Sequence, residues 1–437
     1  MFKLFIIILQ ILAILVLSII VIKNSFVISF EINDLIYSVS SSFFLIFFLI
    51  LFFLIFIIQS FYFKAKYKFS KFKFNKKIRI KEKGYNSFVN GMIALANKDY
   101  KKAINESNKI SNYLDDSPSL SLLLKSEVYK LEKKYDKLNI IYEKMSKDPN
   151  TENLGLRGIM EQYLRAQDYH HAFLYGEKLF NNNPNIEKIY ETLVNIVAKI
   201  NNWHQLINIT DKAFSKKIIE KETYQNNKSI GYYEIAKIKQ HGDIKESIKL
   251  IQKALSLRKN FPAYVNLYVE LLIQNENFNI AKKIIKKAWE NSFHTDLKSS
   301  ILKLSKNSSL EISHLTKYIT STSSDNEKSK LLLVEAFIAE KKWDNARNQI
   351  RVLLETKPKK EVCLLMAKIE EGDVNDIQKA DSWKMRAQNG ISNNIWICRI
   401  SNKEQNEWSS VSKSGHFNSL EWRQPNMVNK FEITPTL

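Results

Sequence analysis

One pattern recurs along most of the chain: a bulky apolar residue followed three places later by a small or aliphatic one. It occurs as Tyr100 and Ala103, Tyr135 and Leu138, Tyr169 and Ala172, Trp203 and Leu206, Ile244 and Ser247, Phe278 and Ala281, and Trp343 and Ala346. The second members are 35, 34, 34, 41, 34 and 65 residues apart. A period of this length implies stacked units, because one short unit cannot bury its apolar face without a neighbour. Seven residues on, a further apolar position returns as Ile110, Met145, Leu179, Ala213, Ala254, Ala288 and Leu353. That spacing puts both positions on one helix face.

The period is that of the tetratricopeptide repeat, two antiparallel helices in 34 residues. Alanine at the second member lets the second helix approach the first closely. Pro149, Pro184 and Pro358 are placed to end second helices, since proline lacks the donor and clashes with the preceding turn. Gly242-Asp243 reads as a turn inside one unit. The 65-residue gap is about two periods, so Asp296 to Thr322 predicts a degenerate pair with loops at Asn307 to Leu310 and Thr320 to Asp325. Glu361 to Gln388 predicts a last pair around Gly372-Asp373. Only ten Gly and seven Pro in 437 residues fit an all-α chain.

The first 63 residues differ from the rest. Leu4 to Ile22 and Phe43 to Phe63 are apolar runs, the first broken chiefly by Gln10 and Ser18, the second by Gln59, Ser60 and Tyr62. About 20 such residues cross a bilayer core as a helix. The first run is too long for a secretory signal core and lacks a small-residue cleavage site, which favours a retained helix. Residues 26 to 34 alternate in part and read as a short external loop or strand pair.

After Phe63 come Lys64, Lys66, Lys68, Lys71, Lys73, Lys76, Lys77, Arg79, Lys81 and Lys83, opposed only by Glu82. Such a basic flank stays on the cytoplasmic side. Both termini and the repeats are therefore expected in the cytoplasm, with a helical hairpin in the membrane. The run accounts for +9 of the net charge of +21 and suits anionic lipid headgroups, at about 1 kcal/mol per cation near the surface. No basic-aromatic module points to nucleic acid. The expected domains are an anchor at 1–63, a basic segment at 64–83, repeats at 84–390 and a tail at 391–437.

Nothing in the chain outlines catalysis. The ten glycines never occur as Gly-x-Gly, so no dinucleotide or phosphate-binding loop is expected. The seven histidines form no metal-binding spacing, and His170-His171 point about 100° apart on a helix. Glu370-Glu371 and Asp115-Asp116 read as exposed helix ends. Two cysteines make no disulfide framework. The tail does carry a ribbon outline: Cys398-x2-Ser401 and Ser412-x2-Gly415 occupy the ligand places of a Cys-x2-Cys, Cys-x2-Cys zinc ribbon. One thiolate cannot replace the four donors of such a site, and His416 is unsuitably placed. The expectation is a metal-free remnant, no cofactor and no enzyme.

Two amino-terminal spans followed by cytoplasmic repeats, Lys83-Gly84-Tyr85 with Gly91, and Leu154-Gly155-Leu156-Arg157-Gly158 together resemble the bacterial HemY family. The likeness covers residues 1 to about 290, and the tail is similar to zinc-ribbon tails of some relatives but departs from them at three ligand places. The resemblance implies an inner-membrane protein associated with haem (porphyrin) biosynthesis and carries no catalytic residues across. It is distinct from the flavin-dependent oxidase of the same name, whose glycine fingerprint is missing.

A repeat array binds partners in the groove lined by first helices. The repeat register nominates Glu127, Lys130, Arg157, Glu161, Arg165, Asn195, Lys199, Lys239, Asn266 and Glu270. Their mixed charge suits a protein partner, with haem-pathway enzymes the class implied by the resemblance. The alternatives are a porphyrin or haem carrier or enzyme, and an envelope-organising protein unrelated to haem.

Overall fold

The computed structural model describes residues 2–23, 27–32, 35–114, 118–354, 359–388, 390 and 393–425. Asp115-Asp116, the helix stop at Pro358 and the ends of the external loop at Phe26 and Asp34 lie outside the described residues. The chain forms two compact units, Met1–Lys134 and Tyr135–Leu437.

In the first unit, α1 (Phe2–Lys23) leads to an antiparallel hairpin of β1 (Val27–Ile32) and β2 (Leu35–Ser40), in which Val27 faces Ser40 and Ile32 faces Leu35. Then α2 (Ser41–Ala96) runs for 56 residues, about 84 Å at 1.5 Å per residue. The boundaries expected at 63 and 83 fall inside this one helix. Its segment Leu49–Ala96 is long and apolar enough to cross a membrane by length and composition, whereas the apolar stretch Ile8–Ile20 of α1 is shorter. Gln10 donates to Gln59 at 3.0 Å, so the main polar interruptions of the two apolar runs satisfy each other. All side chains from 64 to 83 are exposed. The last turns of α2 pack against α3 (Tyr100–Tyr113) and α4 (Ser119–Leu131).

The second unit is a succession of short helices: α5 (Tyr135–Met145), α6 (Glu152–Arg165), α7 (Tyr169–Asn182), α8 (Ile189–Lys199), α9 (Trp203–Ser215), α10 (Lys221–Lys239), α11 (Ile244–Leu257), α12 (Pro262–Gln274) and α13 (Phe278–Ser292). It continues with α14 (Leu297–Ser308), α15 (Ile312–Thr320), α16 (Glu327–Ala339), α17 (Trp343–Leu354), α18 (Lys360–Asp373) and α19 (Ile377–Gln388). Each recurring bulky residue is the first residue of a second helix. Every residue three places later is fully buried, and the positions seven further on are buried except the half-buried Leu353. Ser247 fits the alanine place because its hydroxyl donates to the Ala236 carbonyl at 2.7 Å.

The 65-residue gap holds α14 and α15, and the hidden unit has Ile312 and Leu315 where the pattern has an aromatic and an alanine. The 41-residue interval comes from α10, whose 19 residues exceed the 11 to 14 of α6, α8 and α12. Left-handed residues at Lys98, Gln167, Asn201, Glu276 and Lys341 stand two places before the second helix. Caps follow them: Asp99, Asp168 and Asn202 accept from the backbone N–H of Lys102, His171 and Gln205. Gly242 occupies the equivalent place without a positive φ, and Asp243 still caps α11.

A three-stranded antiparallel sheet follows, β3 (Ile395–Cys398), β4 (Glu404–Gln405) and β5 (Leu420–Arg423), in the order β4-β3-β5. It corrects a purely helical reading of the fold. Its strands are short because two tight turns, at 399–403 and 412–416, interrupt them.

Candidate docking face

First helices line one side of the second unit, with α12 packed on α14 and α16 on α18. Between α8 and the start of α14 this side is covered by the chain's own C-terminal sheet. Four apolar tail residues, Trp396, Trp408, Phe417 and Leu420, are buried in one cluster with Leu193, Tyr233, Phe261 and Tyr264. The Trp408 ring meets Tyr233, Phe261 and Tyr264 edge-on at 5.5, 4.9 and 5.8 Å between centroids. Such geometry places the ring edge against the negative face of its neighbour.

Polar groups fix the register of the docked tail. Asn195 on α8 accepts the main-chain N–H of Phe417 at 3.3 Å, and Asn227 on α10 accepts from the Asn418 amide at 3.1 Å. The buried Asn227 is held by its own donation to Tyr190 Oη at 2.9 Å. At the other end Trp396 Nε1 donates to Asp296 Oδ2 at 2.7 Å, and Asn393 donates to Glu361 at 2.9 Å.

His294 packs against both Trp396 and Trp422, with ring centroids 5.4 and 4.2 Å away, and the two indoles also meet at 5.2 Å. Its Nδ1 accepts the backbone N–H of Asp296 at 3.2 Å and must therefore be unprotonated. Asp296 Oδ1 lies 3.7 Å from that nitrogen and by charge alone would favour imidazolium. The backbone donor and burial prevail: burial, with Lys328 adding a smaller push, lowers the histidine to about 4. Burial also raises the Asp296 carboxyl above its ordinary value, against the indole donor.

Three of the four residues at the ribbon ligand places, Cys398, Ser401 and Ser412, come together. Cys398 Sγ lies 3.3 Å from Ser419 Oγ, and Ser414 Oγ joins Ser401 at 2.6 Å to Ser412 at 3.2 Å. Burial alone would raise the thiol, but the hydroxyls of Ser401, Ser419 and Ser412 and the Ser401 backbone N–H bring it down to about 5. Gly415, at φ +82°, turns the second loop so that the His416 N–H reaches Ser412 Oγ at 3.2 Å. Among the described residues no group of three or more His, Cys, Asp and Glu side chains suits a metal ion.

The nominated groove residues separate into three groups. Asn195 contacts the tail directly. Arg157 and Glu161, at 3.0 Å, and Lys130 and Glu127, at 4.0 Å, pair along their own exposed helices. The rest join neighbouring helices. Arg165 and Lys199, each in the last turn of a first helix, stand over the rings of Tyr135 and Tyr169 at 5.2 and 4.6 Å. Lys239 pairs with Glu246 at 2.6 Å. Asn266 accepts from Ser300 at 2.6 Å, and Glu270 accepts from Lys303 at 3.0 Å, tying α12 to α14.

The basic side chains from Lys64 to Arg79 lie along exposed α2, where Lys73 stands 4.7 Å over the Phe69 ring. Sequence reasoning missed Asn227, Tyr233, Phe261, Tyr264, His294 and Asp296. Their one signal was the aromatic tail, whose unpaired tryptophans needed a matching apolar surface.

No family model matches the chain, and no curated protein matches it. Among solved structures it is similar to a tetratricopeptide repeat protein from Parabacteroides merdae, at 15% identity over 58% of this chain and 94% of that one, with a TM-score of 0.28. It is also similar to the TPR2AB-domain:pHSP90-complex of yeast Sti1, at 11% identity over 70% of this chain and 98% of that one, with a TM-score of 0.30. The paired helices and their buried period in this chain itself are what mark it as a repeat array of tetratricopeptide type.

Proposed function

We propose that this chain is a protein-interaction scaffold held at a bacterial inner membrane by α1 and α2, with its repeat array in the cytoplasm. The observation that carries this reading is the docked tail. The first-helix face receives an irregular chain segment through an amide acceptor on a main-chain N–H and through aromatic contacts, the chemistry required to receive a segment of another protein.

The membrane part rests on the apolar length of α2 and on the Gln10–Gln59 pair, since polar side chains in hydrocarbon need a protein partner. For a helix along the bilayer normal, Lys64, Lys66 and Lys68 stand within about 8 Å of Phe63, one Debye length. Lys71, Lys73, Lys76, Lys77 and Arg79 stand about 12 to 24 Å out. All eight face the anionic headgroups in this reading, with the attraction strongest at the first three and weakening outward along the helix.

The haem-pathway association follows from the HemY resemblance alone and names the class of partner to look for. Proximity labelling from the array, in the full chain and in one lacking residues 1–63, tests the scaffold. A defined set of cytoplasmic proteins, reduced without the anchor, supports it; labelling no different from an unfused control refutes it.

A further inference from the structure

The hairpin of β1 and β2 sorts its residues by face. In an antiparallel pair, residues opposite one another point to the same side, and neighbours along a strand alternate. Phe30 stands opposite Tyr37, and Leu35 and Val39 share that side two places before and after Tyr37. The register sets Ile32 opposite Leu35 and Ile28 opposite Val39. On the other side Ser29 meets Ser38, Glu31 meets Ile36 and Val27 meets Ser40. All four described side chains of the first face are apolar or aromatic, whereas the second holds a carboxylate and three serines.

The apolar face is open. Phe30, Leu35 and Tyr37 are 42, 61 and 52% exposed. Among the described residues the strands pack on each other, and β2 meets the start of α2. A two-stranded ribbon alone is marginal in water, so this face calls for a layer beneath it.

The chain fixes what lies within reach. β2 ends at Ser40 and α2 begins at Ser41, with no linker between them. On the membrane reading α2 leaves the hydrocarbon core at Lys64, and about 20 residues of helix, ~30 Å, put the other limit of the core near Phe44. Ser40 therefore stands in the outer headgroup layer. Lys23, exposed in the last turn of α1, marks the same level, and β1 begins four residues later at Val27, the partner of Ser40. Both strands thus meet the bilayer surface at one end of the ribbon. Glu31, the only charged residue of the two strands, lies on the face away from the aromatic pair. An apolar face without charge, backed by a polar one, is the division by which an amphipathic element lies in the interface plane, and aromatic residues are favoured at that level.

We propose that the ribbon binds a lipid surface, lying flat on the outer leaflet with Phe30, Leu35, Tyr37 and Val39 in the lipid and Ser29 and Glu31 toward water. The proposal rests on the reading of α1 and α2 as membrane spans.

Leu35→Cys, Ile36→Cys, Tyr37→Cys, Ser38→Cys and Val39→Cys, made one at a time in the full chain, each receive a nitroxide label in vesicles of phosphatidylcholine and phosphatidylglycerol. Collisions with oxygen, which concentrates in lipid, are compared with collisions with a nickel chelate, which stays in water. The unsubstituted chain, whose Cys363 and Cys398 are both buried, is the blank. Labels at 35, 37 and 39 should lie about 5–10 Å into the headgroup and acyl boundary and meet mainly oxygen, and those at 36 and 38 mainly nickel. Phe30→Asp, opposite position 37, should shift the label there toward water. An upright ribbon would instead show nickel collisions rising steadily from 39 to 35, and this would overturn the proposal. So would spin–spin broadening at 37 that vanishes on dilution with unlabelled chain, because a second copy would then cover the face. Phe53→Cys, labelled in the same way, separates the two readings. Lipid contact at 53 without alternation at 35–39 overturns the ribbon alone, whereas water contact at 53 refutes the membrane spans and the ribbon with them.

Discussion

Trp396 donates its indole N–H to Asp296 across 2.7 Å, joining positions 100 residues apart and fixing one end of the C-terminal sheet on the helix array. Trp396→Phe keeps the ring and removes the donor, leaving a largely buried carboxylate short of a partner. The expected loss is about 1–3 kcal/mol of docking stability. Faster limited proteolysis within 399–413, with unchanged helical circular dichroism, would show it.

Acid should loosen the same contact. His294 is lowered to about 4 from an ordinary 6.5, so between those values the folded state binds fewer protons than the unfolded one. Its contribution is present above about pH 6.5 and is lost as pH falls through 4. Asp296, raised above 3.8, acts in the opposite direction: its contribution grows as pH falls through its raised value. Protease sensitivity of the tail should therefore rise from pH 6.5 downward in the wild type. In His294→Phe that rise should disappear, leaving only the shallow opposing slope of Asp296.

The hydroxyl cluster around Cys398 should be convertible into a metal site. Ser401→Cys, Ser412→Cys and Gly415→Cys on the two turns bring the thiolates to four with Cys398 at the end of β3. Cysteine at the left-handed Gly415 costs about 1–2 kcal/mol. Zinc binding at a structural site, at about 10–16 kcal/mol, exceeds that many times over. One tightly held zinc per chain is expected in the triple variant and none in the wild type, read by elemental analysis after dialysis.

Glycines of similar appearance in the sequence should behave differently. A Cβ on Gly155 would run into the backbone of Ser146 and Tyr142, where α6 begins against the end of α5, whereas one on Gly242 meets nothing within 4 Å. Gly155→Ala should cost about 1–3 kcal/mol by overpacking. Gly242→Ala should stay within about 0.5 kcal/mol. Thermal melts of the two variants decide it.

The array was legible because its period lies in buried positions. Ala103, Ala172 and Ala281 are small for a packing reason that recurs every turn of the repeat, and the bulky residues ahead of them mark helix starts. The pair at α14 and α15 carried no such mark, since Ile312 and Leu315 fill the same places with ordinary aliphatics. The docking face was harder to read. Asn195 could be placed from register, but Asn227 lies near the middle of the elongated α10, where the register slips. Arg165 and Lys199 show the limit of register in the other direction: a charge at a first helix's end can lean back over the aromatic of the preceding unit instead of facing a partner. Which tail residue meets which helix depends on folding across 100 to 220 residues, and no local pattern encodes it.

The most direct test of the scaffold is a photo-crosslinking amino acid placed in the full chain, in cells, at one first-helix position at a time. At Asn227, under the docked sheet, the expected product is crosslinking within the chain to the tail. At Arg157 and at Lys368, where the first helices are exposed, adducts with other proteins are expected. Intermolecular adducts at Asn227, or none at either Arg157 or Lys368, would contradict an array that holds its own tail on one stretch of first helices and receives partners on the rest.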